Sequence, residues 1–279
     1  MSQRIKRNGL YTLPGLSIMQ PPPARRNDTP AARSGRVSRM ADNIDRVVEA
    51  TPRNLQESGR SWYPRAHDAL GQISPGDHSR MSGVVAALSP QRDPVTNYDA
   101  AHEMVHKFNT EQRARFRSTL GTPAHQNVRD ELFGAKKSGN TGEVGPTLRS
   151  FTGNQITNAL DIHEGRDPDE VLGLKTGNFR RGLLNPDEHG PVVVDTHAYN
   201  AATGAARSGN YVGPLVSGKG PAQEYRYNQV ADAYRLSANR SGDLSHSQQA
   251  TAWVGWRALV KPAKQPTSMY SPNNWNEIA

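Results

Sequence analysis

Apolar residues recur at helical spacing along most of the chain from about residue 42 onward. One such face has the spacing i, i+3, i+4 and i+7 and consists of Ala101, Met104, Val105 and Phe108. Asp99, just ahead of them, is expected to cap that helix. Further helices are predicted near 47–55, 81–88, 126–134, 156–162, 171–184, 196–203, 227–238 and 246–260. Because Val192-Val193-Val194 is the only plausible strand, the pattern predicts an all-α fold.

The predicted helices are confined to one stretch of the chain. We expect a helical domain over 42–262, with loop-rich insertions at 117–154 and 204–226, where Gly, Ser, Asn and Pro accumulate. Residues 263–279 have the composition of a C-terminal tail. Residues 1–41 are rich in Pro, Arg, Ser and Ala, and they hold too few large apolar residues to offset the entropy of ordering. We therefore expect this N-terminal arm to be disordered in isolation.

The charge of the chain is concentrated in that arm. There are 34 Lys and Arg against 26 Asp and Glu, a net charge of +8. Residues 1–41 hold eight basic residues and one acidic residue (8 − 1 = +7), which leaves +1 for the rest of the chain (8 − 7 = +1). Such an arm can bind the phosphates of nucleic acid, with strong salt dependence. It could equally be a solvated tail or a docking segment for a protein partner, such as a phage capsid.

Composition also excludes several classes of site. The chain has no cysteine, so it has no disulfide, thiolate nucleophile or cysteine-ligated metal cluster. No apolar run approaches the length of a membrane helix. We expect a soluble protein of the cytoplasm, or one associated with a virion, with no membrane partner and no cofactor.

Two short motifs carry the candidate chemistry. The first reads Gly173-Leu174-Lys175-Thr176-Gly177, and the second reads Val194-Asp195-Thr196-His197 after an apolar run, with Lys175 and Asp195 20 residues apart. Together they resemble the helix-hairpin-helix DNA glycosylase superfamily, endonuclease III type. Leu88-Ser89-Pro90-Gln91, followed by Asn97, resembles another segment of that family. The resemblance covers roughly residues 60–260.

The resemblance implies a role for each matching residue. Lys175 would be the nucleophile and Asp195 the catalytic carboxylate. Gln91 would insert near a flipped base, which makes duplex DNA the expected partner. Further base-pocket or DNA-binding candidates are Asn97, Gly173, Thr176, Arg180, Arg181 and His197. The chain departs from the family in its hairpin, which lacks one glycine and a proline and carries Glu170, and in having no four-cysteine cluster.

The residue types suit this chemistry on physical grounds as well. An unprotonated lysine amine can displace a base from C1′ and form a Schiff base that permits strand cleavage. A nearby carboxylate can accept a proton and stabilise positive charge that develops on the sugar. The base must first leave the stack, which requires a pocket and a side chain that fills the gap. A purely structural interpretation also stays open, in which Asp195 only caps a helix and Lys175 is a surface lysine.

Three other functions compete with a glycosylase. His102-Glu103-Met104-Val105-His106 matches the H-E-x-x-H pattern of zinc hydrolases, with His102 and His106 as metal ligands, although a polar helix face is the simpler interpretation. A non-catalytic nucleic-acid-binding or virion protein could use the same scaffold. Short stretches such as Tyr63-Pro64-Arg65-Ala66-His67-Asp68 resemble uncharacterised actinobacteriophage proteins, which fits that alternative. A base-modifying transferase is a further alternative.

Overall fold

A computed structural model describes residues 6–7, 10–11, 28–134, 142–216 and 220–260. Within these ranges the chain forms two compact units. Unit 1 contains the residues up to Arg65 and those from Asn185 onward, and unit 2 contains Ala66–Leu184. None of the described helices is long and apolar enough to span a membrane.

The described elements are helical apart from one short antiparallel pair of strands, so the all-α prediction is confirmed. The strands are β1 (Lys6–Arg7) and β2 (Leu10–Tyr11), with Lys6 opposite Tyr11. A single 3-10 helix covers Leu148–Ser150. The α-helices are α1 (Pro30–Glu49), α2 (Arg53–Arg60), α3 (Trp62–Ile73), α4 (His78–Leu88), α5 (Pro94–His106), α6 (Thr110–Thr119), α7 (His125–Phe133), α8 (Gly153–His163), α9 (Pro168–Val171), α10 (Leu174–Leu184), α11 (Thr196–Thr203), α12 (Gly209–Val216), α13 (Pro221–Ser241) and α14 (Ser245–Val260).

Unit 1 is built around four helices that pack on one another, α1, α11, α13 and α14, with α2 against α14 and α12 against α13. Its core contains small and branched side chains together with Tyr227, Tyr234 and Trp256. α2 approaches α14 closely at Gly59, where a Cβ would overlap the backbone of Thr251. A glycine is therefore required at Gly59 by packing rather than by backbone conformation.

Unit 2 is organised by α4, whose residues from Met81 to Leu88 are all buried. α8, α10 and α5 pack on this helix. A Cβ on Gly83 would lie 2.8 Å from Ile162 and 3.0 Å from Pro168, so the glycine lets α8 and α9 approach α4 closely. The buried helix thus supports the segment that leads into α10 and Lys175.

The expected boundary between arm and domain at residue 41 is wrong. α1 begins at Pro30, with Thr29 capping it and proline in its first turn. Arg36 is buried, and its guanidinium forms an ion pair with buried Asp28 at 2.6 Å and donates to Gln229 at 2.7 Å. Met40 is buried in the core as well. The basic residues after 30 therefore belong to a packed helix. The arm up to residue 27, apart from β1 and β2, lies outside the described residues. The predicted tail at 263–279 lies outside them as well.

Other expectations differ from the structure in detail. Val192-Val193-Val194 has no regular secondary structure and pairs with no strand in the described ranges. The Tyr227 hydroxyl donates to the Val192 carbonyl and accepts from the Val194 amide. Asp93, not Asp99, caps α5, accepting from the Thr96 amide at 2.9 Å.

The predicted organisation into one domain with two loop-rich insertions also changes. The described part of 42–262 divides between two units instead of forming one. The insertion at 204–226 contains α12 and the start of α13. The insertion at 117–154 contains α7, as predicted, and also the 3-10 helix and the start of α8.

Candidate functional site

Lys175 is the second residue of α10, directly after a two-residue break that separates α9 from α10. Asp167 caps α9, accepting from the Asp169 amide at 2.9 Å, and Leu172 has extended backbone angles that end the short helix. Lys175 is half-buried, and among the described residues its amine forms no hydrogen bond or ion pair with a carboxylate. Its nitrogen is thus held near the start of a helix without an acidic partner in that part of the chain.

The turn between α9 and α10 leaves the backbone at Gly173 accessible. Gly173 is exposed, and a Cβ placed on it would meet nothing within 4 Å. Its carbonyl accepts from the Gly177 amide at 2.7 Å and from the Thr176 hydroxyl at 3.1 Å. Because Thr176 uses its hydroxyl in this way, it does not cap α10. The start of the helix can therefore approach an anion through backbone amides.

Asp195 caps α11 and directly follows Val192-Val193-Val194. Its Oδ1 atom accepts from the Ala198 amide at 2.8 Å, and its Oδ2 atom accepts from the indole N–H of Trp253 at 3.0 Å. The side chain is half-buried. Two N–H donors directed at one carboxyl group fix its orientation.

Trp253 connects Asp195 to two further side chains. Its ring meets His197 edge-on, with centroids 6.0 Å apart, and the Arg257 guanidinium carbon lies 4.7 Å from its centroid. Burial raises the pKa of the neighbouring Tyr234 hydroxyl well above its ordinary value, and the charge of Asp195 adds to that shift. The carboxylate thus stands in a largely aromatic environment within unit 1.

Gln91 lies in the turn between α4 and α5 and has an unusual backbone conformation. It is exposed, and its φ of 64° is the only positive value for a residue other than glycine in the described ranges. The residues on both sides are fixed. Gln155 donates to the Leu88 and Pro90 carbonyls at 3.2 and 3.0 Å, and Arg92 stacks on Phe151 at 4.8 Å. Left-handed backbone angles at a glutamine cost of order 1–2 kcal/mol of folding free energy, and the contacts of the neighbouring residues hold Gln91 in this conformation.

The remaining candidates in unit 2 differ in burial and in their hydrogen-bond or ion-pair partners. Asn97 is buried and donates to the Val85 carbonyl at 3.2 Å, which gives it a structural role in joining α5 to α4. The Arg180 side chain is only 12% exposed and lies 3.4 Å from Asp169. Arg181 is exposed and has no ion-pair partner in the described chain. Of the two arginines, Arg181 is the better placed for a phosphate.

The H-E-x-x-H segment on α5 is used for structure. Glu103 is buried and accepts from the Thr147 amide and hydroxyl and from the Leu148 amide, at 2.8–3.2 Å. It therefore caps the 3-10 helix. The His106 Nε2 atom lies 2.7 Å from the Ile73 carbonyl, to which it donates. No group of three His, Asp or Glu side chains in the described ranges is arranged to hold a metal ion.

The structure places the predicted residues in both units. Lys175, Gln91, Asn97, Gly173, Thr176, Arg180 and Arg181 belong to unit 2, in which α10 packs on α4, the helix preceding the Gln91 turn. Asp195 and His197 belong to unit 1. Sequence reasoning missed Gln155 and Trp253. An indole N–H that needs a hydrogen-bond partner was the available signal for Trp253, but the sequence does not name that partner.

Comparison with known proteins adds a family to this description. A family model described as "Family of unknown function (DUF7178)" matches residues 27–259. No curated protein and no solved structure matches the chain. The match begins three residues before α1 and ends one residue before the end of α14, so it covers nearly all of the described helices. The chain therefore belongs to the family of unknown function DUF7178.

Proposed function

We propose that the chain is a DNA-binding enzyme of the glycosylase type, acting on a flipped base, with Lys175 as nucleophile and Asp195 as catalytic carboxylate. The observation that carries this proposal is the environment of the Asp195 side chain. It is a half-buried carboxylate that is oriented by the Trp253 indole and the Ala198 amide. A carboxylate held in a fixed orientation can stabilise positive charge that develops on a sugar.

The surroundings of Lys175 and Gln91 support the same assignment. Lys175 has no carboxylate bound to its amine among the described residues, which leaves the nitrogen available to a substrate. Gln91 projects from a rigid turn in a conformation that costs free energy, and such strain is concentrated at functional sites. The open backbone at Gly173 and the exposed Arg181 would contact phosphates.

The proposed reaction has a defined course. The neutral Lys175 amine attacks C1′, and the bond from C1′ to the base breaks with its electron pair leaving on the base, which takes up a proton. Loss of the amine proton and opening of the sugar ring give a Schiff base between Lys175 and C1′. Asp195 would stabilise the positive charge on the sugar, and the amine proton would pass to the ring oxygen as the ring opens. Loss of a proton from C2′ to solvent, with formation of a C2′–C3′ double bond and departure of the 3′ phosphate, would then cleave the strand.

Borohydride trapping tests the role of Lys175 directly. Duplexes carrying an abasic site, uracil, or oxidised or alkylated bases are incubated with the full chain and reduced. We expect a covalent adduct with wild type and none with Lys175→Ala. Lys107→Ala is the matched control, because Lys107 is an exposed lysine at the end of α5 in the same unit. An adduct that survives Lys175→Ala would contradict the nucleophile assignment.

Base release measured with the same substrates separates the other possibilities. Loss of base release in Asp195→Asn, with activity retained in Lys175→Ala, would indicate a glycosylase that uses water as the nucleophile. Gln91→Ala is expected to weaken base release from paired substrates more than from a single strand, since it removes the gap-filling side chain. Tight DNA binding without base release on any substrate would favour a non-catalytic binding protein.

A further inference from the structure

A partly exposed aromatic and basic surface lies on unit 1 and begins one helical turn after Asp195, whose carbonyl accepts from the Tyr199 amide at 2.9 Å. It consists of Tyr199 of α11, Arg207, Tyr211 of α12 and Arg226 of α13, which we call the Tyr211 surface. Tyr211 is 49% exposed, an unusual exposure for a large aromatic side chain. The Arg207 guanidinium carbon lies 4.3 Å from the centroid of its ring. The pKa of Tyr199 is raised by burial and by Tyr211, while Arg207 and Arg226 oppose the shift, so each of these three groups is within electrostatic reach of Tyr199.

The position of Arg207 is fixed by a buried amide. Asn200 is only 3% exposed; its Nδ2 atom donates to the Arg207 carbonyl at 2.9 Å, and its Oδ1 atom accepts from the Arg207 amide at 3.2 Å. The Arg207 amide also lies 2.9 Å from the Ala205 carbonyl. Both backbone groups of Arg207 are thus bound before any ligand arrives. A preorganised arginine loses little conformational freedom when it binds.

The charge of this surface is not neutralised by nearby acids. The sequence contains no Asp or Glu from Thr196 to Gln223, and Glu224, two residues before Arg226, forms no ion pair with either arginine in the described ranges. In the described ranges, neither Arg207 nor Arg226 forms an ion pair. The chain offers a contrast in Arg33, which lies 5.7 Å from the ring of Tyr225 but is bound to Asp232 at 2.8 Å. The Tyr211 surface therefore combines an exposed ring with cationic charge that is available to a ligand.

We propose that the Tyr211 surface is a binding site for unpaired nucleobases of single-stranded nucleic acid. The face of the Tyr211 ring opposite Arg207 would stack on a base, and Arg207 and Arg226 would contact the flanking phosphates. Aromatic rings beside arginines are the combination by which proteins hold single strands without reading sequence. This site goes beyond the glycosylase proposal, since it needs neither Lys175 nor Asp195 and would operate in a protein without catalysis.

Fluorescence anisotropy with the full chain tests this site. The probe is a labelled oligothymidylate of ~12 nucleotides, compared with a duplex of the same length. Tyr211→Ala is expected to weaken single-strand binding about tenfold with an unchanged salt dependence, because stacking carries no charge. Arg207→Gln should weaken binding and reduce the slope of log affinity against log salt by about 0.7. Tyr211→Phe should bind like wild type.

The matched control is Tyr225→Ala, which removes the ring beside the neutralised Arg33 and should leave binding unchanged. Circular dichroism verifies that each variant is folded. Single-strand binding by Tyr211→Ala that matches wild type would overturn the proposal. So would an equal loss in Tyr225→Ala, or a loss that is the same for the duplex as for the single strand.

Discussion

Two N-terminal truncations should differ sharply in their effect on stability, because the predicted arm over 1–41 includes the first part of α1. Removing residues 1–27 takes away five basic residues and no acidic one and leaves α1 complete. Removing residues 1–41 also deletes the first twelve residues of α1, from Pro30 to Ala41. That segment carries Arg36, Met40 and Ala41, which are buried in unit 1.

The cost of the longer truncation can be estimated from its contacts. Exposing the partners of a fully buried side chain such as Met40 costs about 1.5–3 kcal/mol. Loss of Arg36 leaves the buried Gln229 without its 2.7 Å hydrogen bond, at a cost of about 1–3 kcal/mol. The Arg33–Asp232 pair is partly exposed and adds roughly 0–1 kcal/mol. The sum, about 3–7 kcal/mol, is comparable with the roughly 5–15 kcal/mol that stabilises a typical protein.

Urea unfolding followed by circular dichroism measures the difference. The chain lacking residues 1–27 should unfold at nearly the same urea concentration as the full chain, while the chain lacking residues 1–41 should be partly unfolded without denaturant. Met40→Ala in the full chain should lower the free energy of unfolding by about 2–5 kcal/mol. Equal unfolding midpoints for the two truncations would refute this reasoning and restore the boundary at residue 41.

Two further predictions concern single side chains of unit 1. Trp253→Phe removes the indole donor to Asp195 and should lower the free energy of unfolding by about 1–2 kcal/mol in the wild-type background. Urea unfolding measures this loss in the wild-type and Asp195→Asn backgrounds. An equal loss in both backgrounds would contradict the contact. Burial lowers the pKa of His246, whose Nε2–H donates to the Pro186 carbonyl and whose buried Nδ1 has no partner in the described chain. The neutral ring therefore stabilises the fold fully above its ordinary pKa of about 6.5, and this contribution is lost as pH falls through the lowered value. The free energy of unfolding should fall more steeply from neutral to mildly acidic pH in wild type than in His246→Gln, and equal slopes would exclude this cause.

The helices predicted best are those whose signals are local. α14 was predicted at 246–260 and extends over Ser245–Val260, and α7 was predicted at 126–134 and extends over His125–Phe133. Both depend on apolar spacing within the segment itself. The start of α5 was placed wrongly because two aspartates precede its apolar face. Asp93 is followed by Pro94, which favours the first turn of a helix, and this local signal identifies the better cap.

The features that were missed depend on partners distant in sequence. The first turns of α1 have an arm-like composition, and they are ordered because Arg36 meets Gln229, 193 residues away. The valines before Asp195 have the composition of a strand, yet the Tyr227 hydroxyl satisfies their backbone in place of a neighbouring strand. The Trp253 contact with Asp195 joins residues 58 apart. Composition and periodicity carry no information about such pairs, so only the fold reveals them.

The structure also changes how the two interpretations of Asp195 should be compared. A helix cap needs one carboxyl oxygen, and Oδ1 supplies it to the Ala198 amide, while Oδ2 is bound to the Trp253 indole. Capping and a role in chemistry are therefore compatible at this residue. Asparagine would retain the cap but turn an amide N–H toward the indole N–H, which destabilises the fold. Base release by Asp195→Asn is thus best measured in the Trp253→Phe background, where that conflict is removed. If the double variant is stable but inactive while Trp253→Phe alone releases base, the carboxylate acts in the reaction; if both release base equally, Asp195 is only a cap.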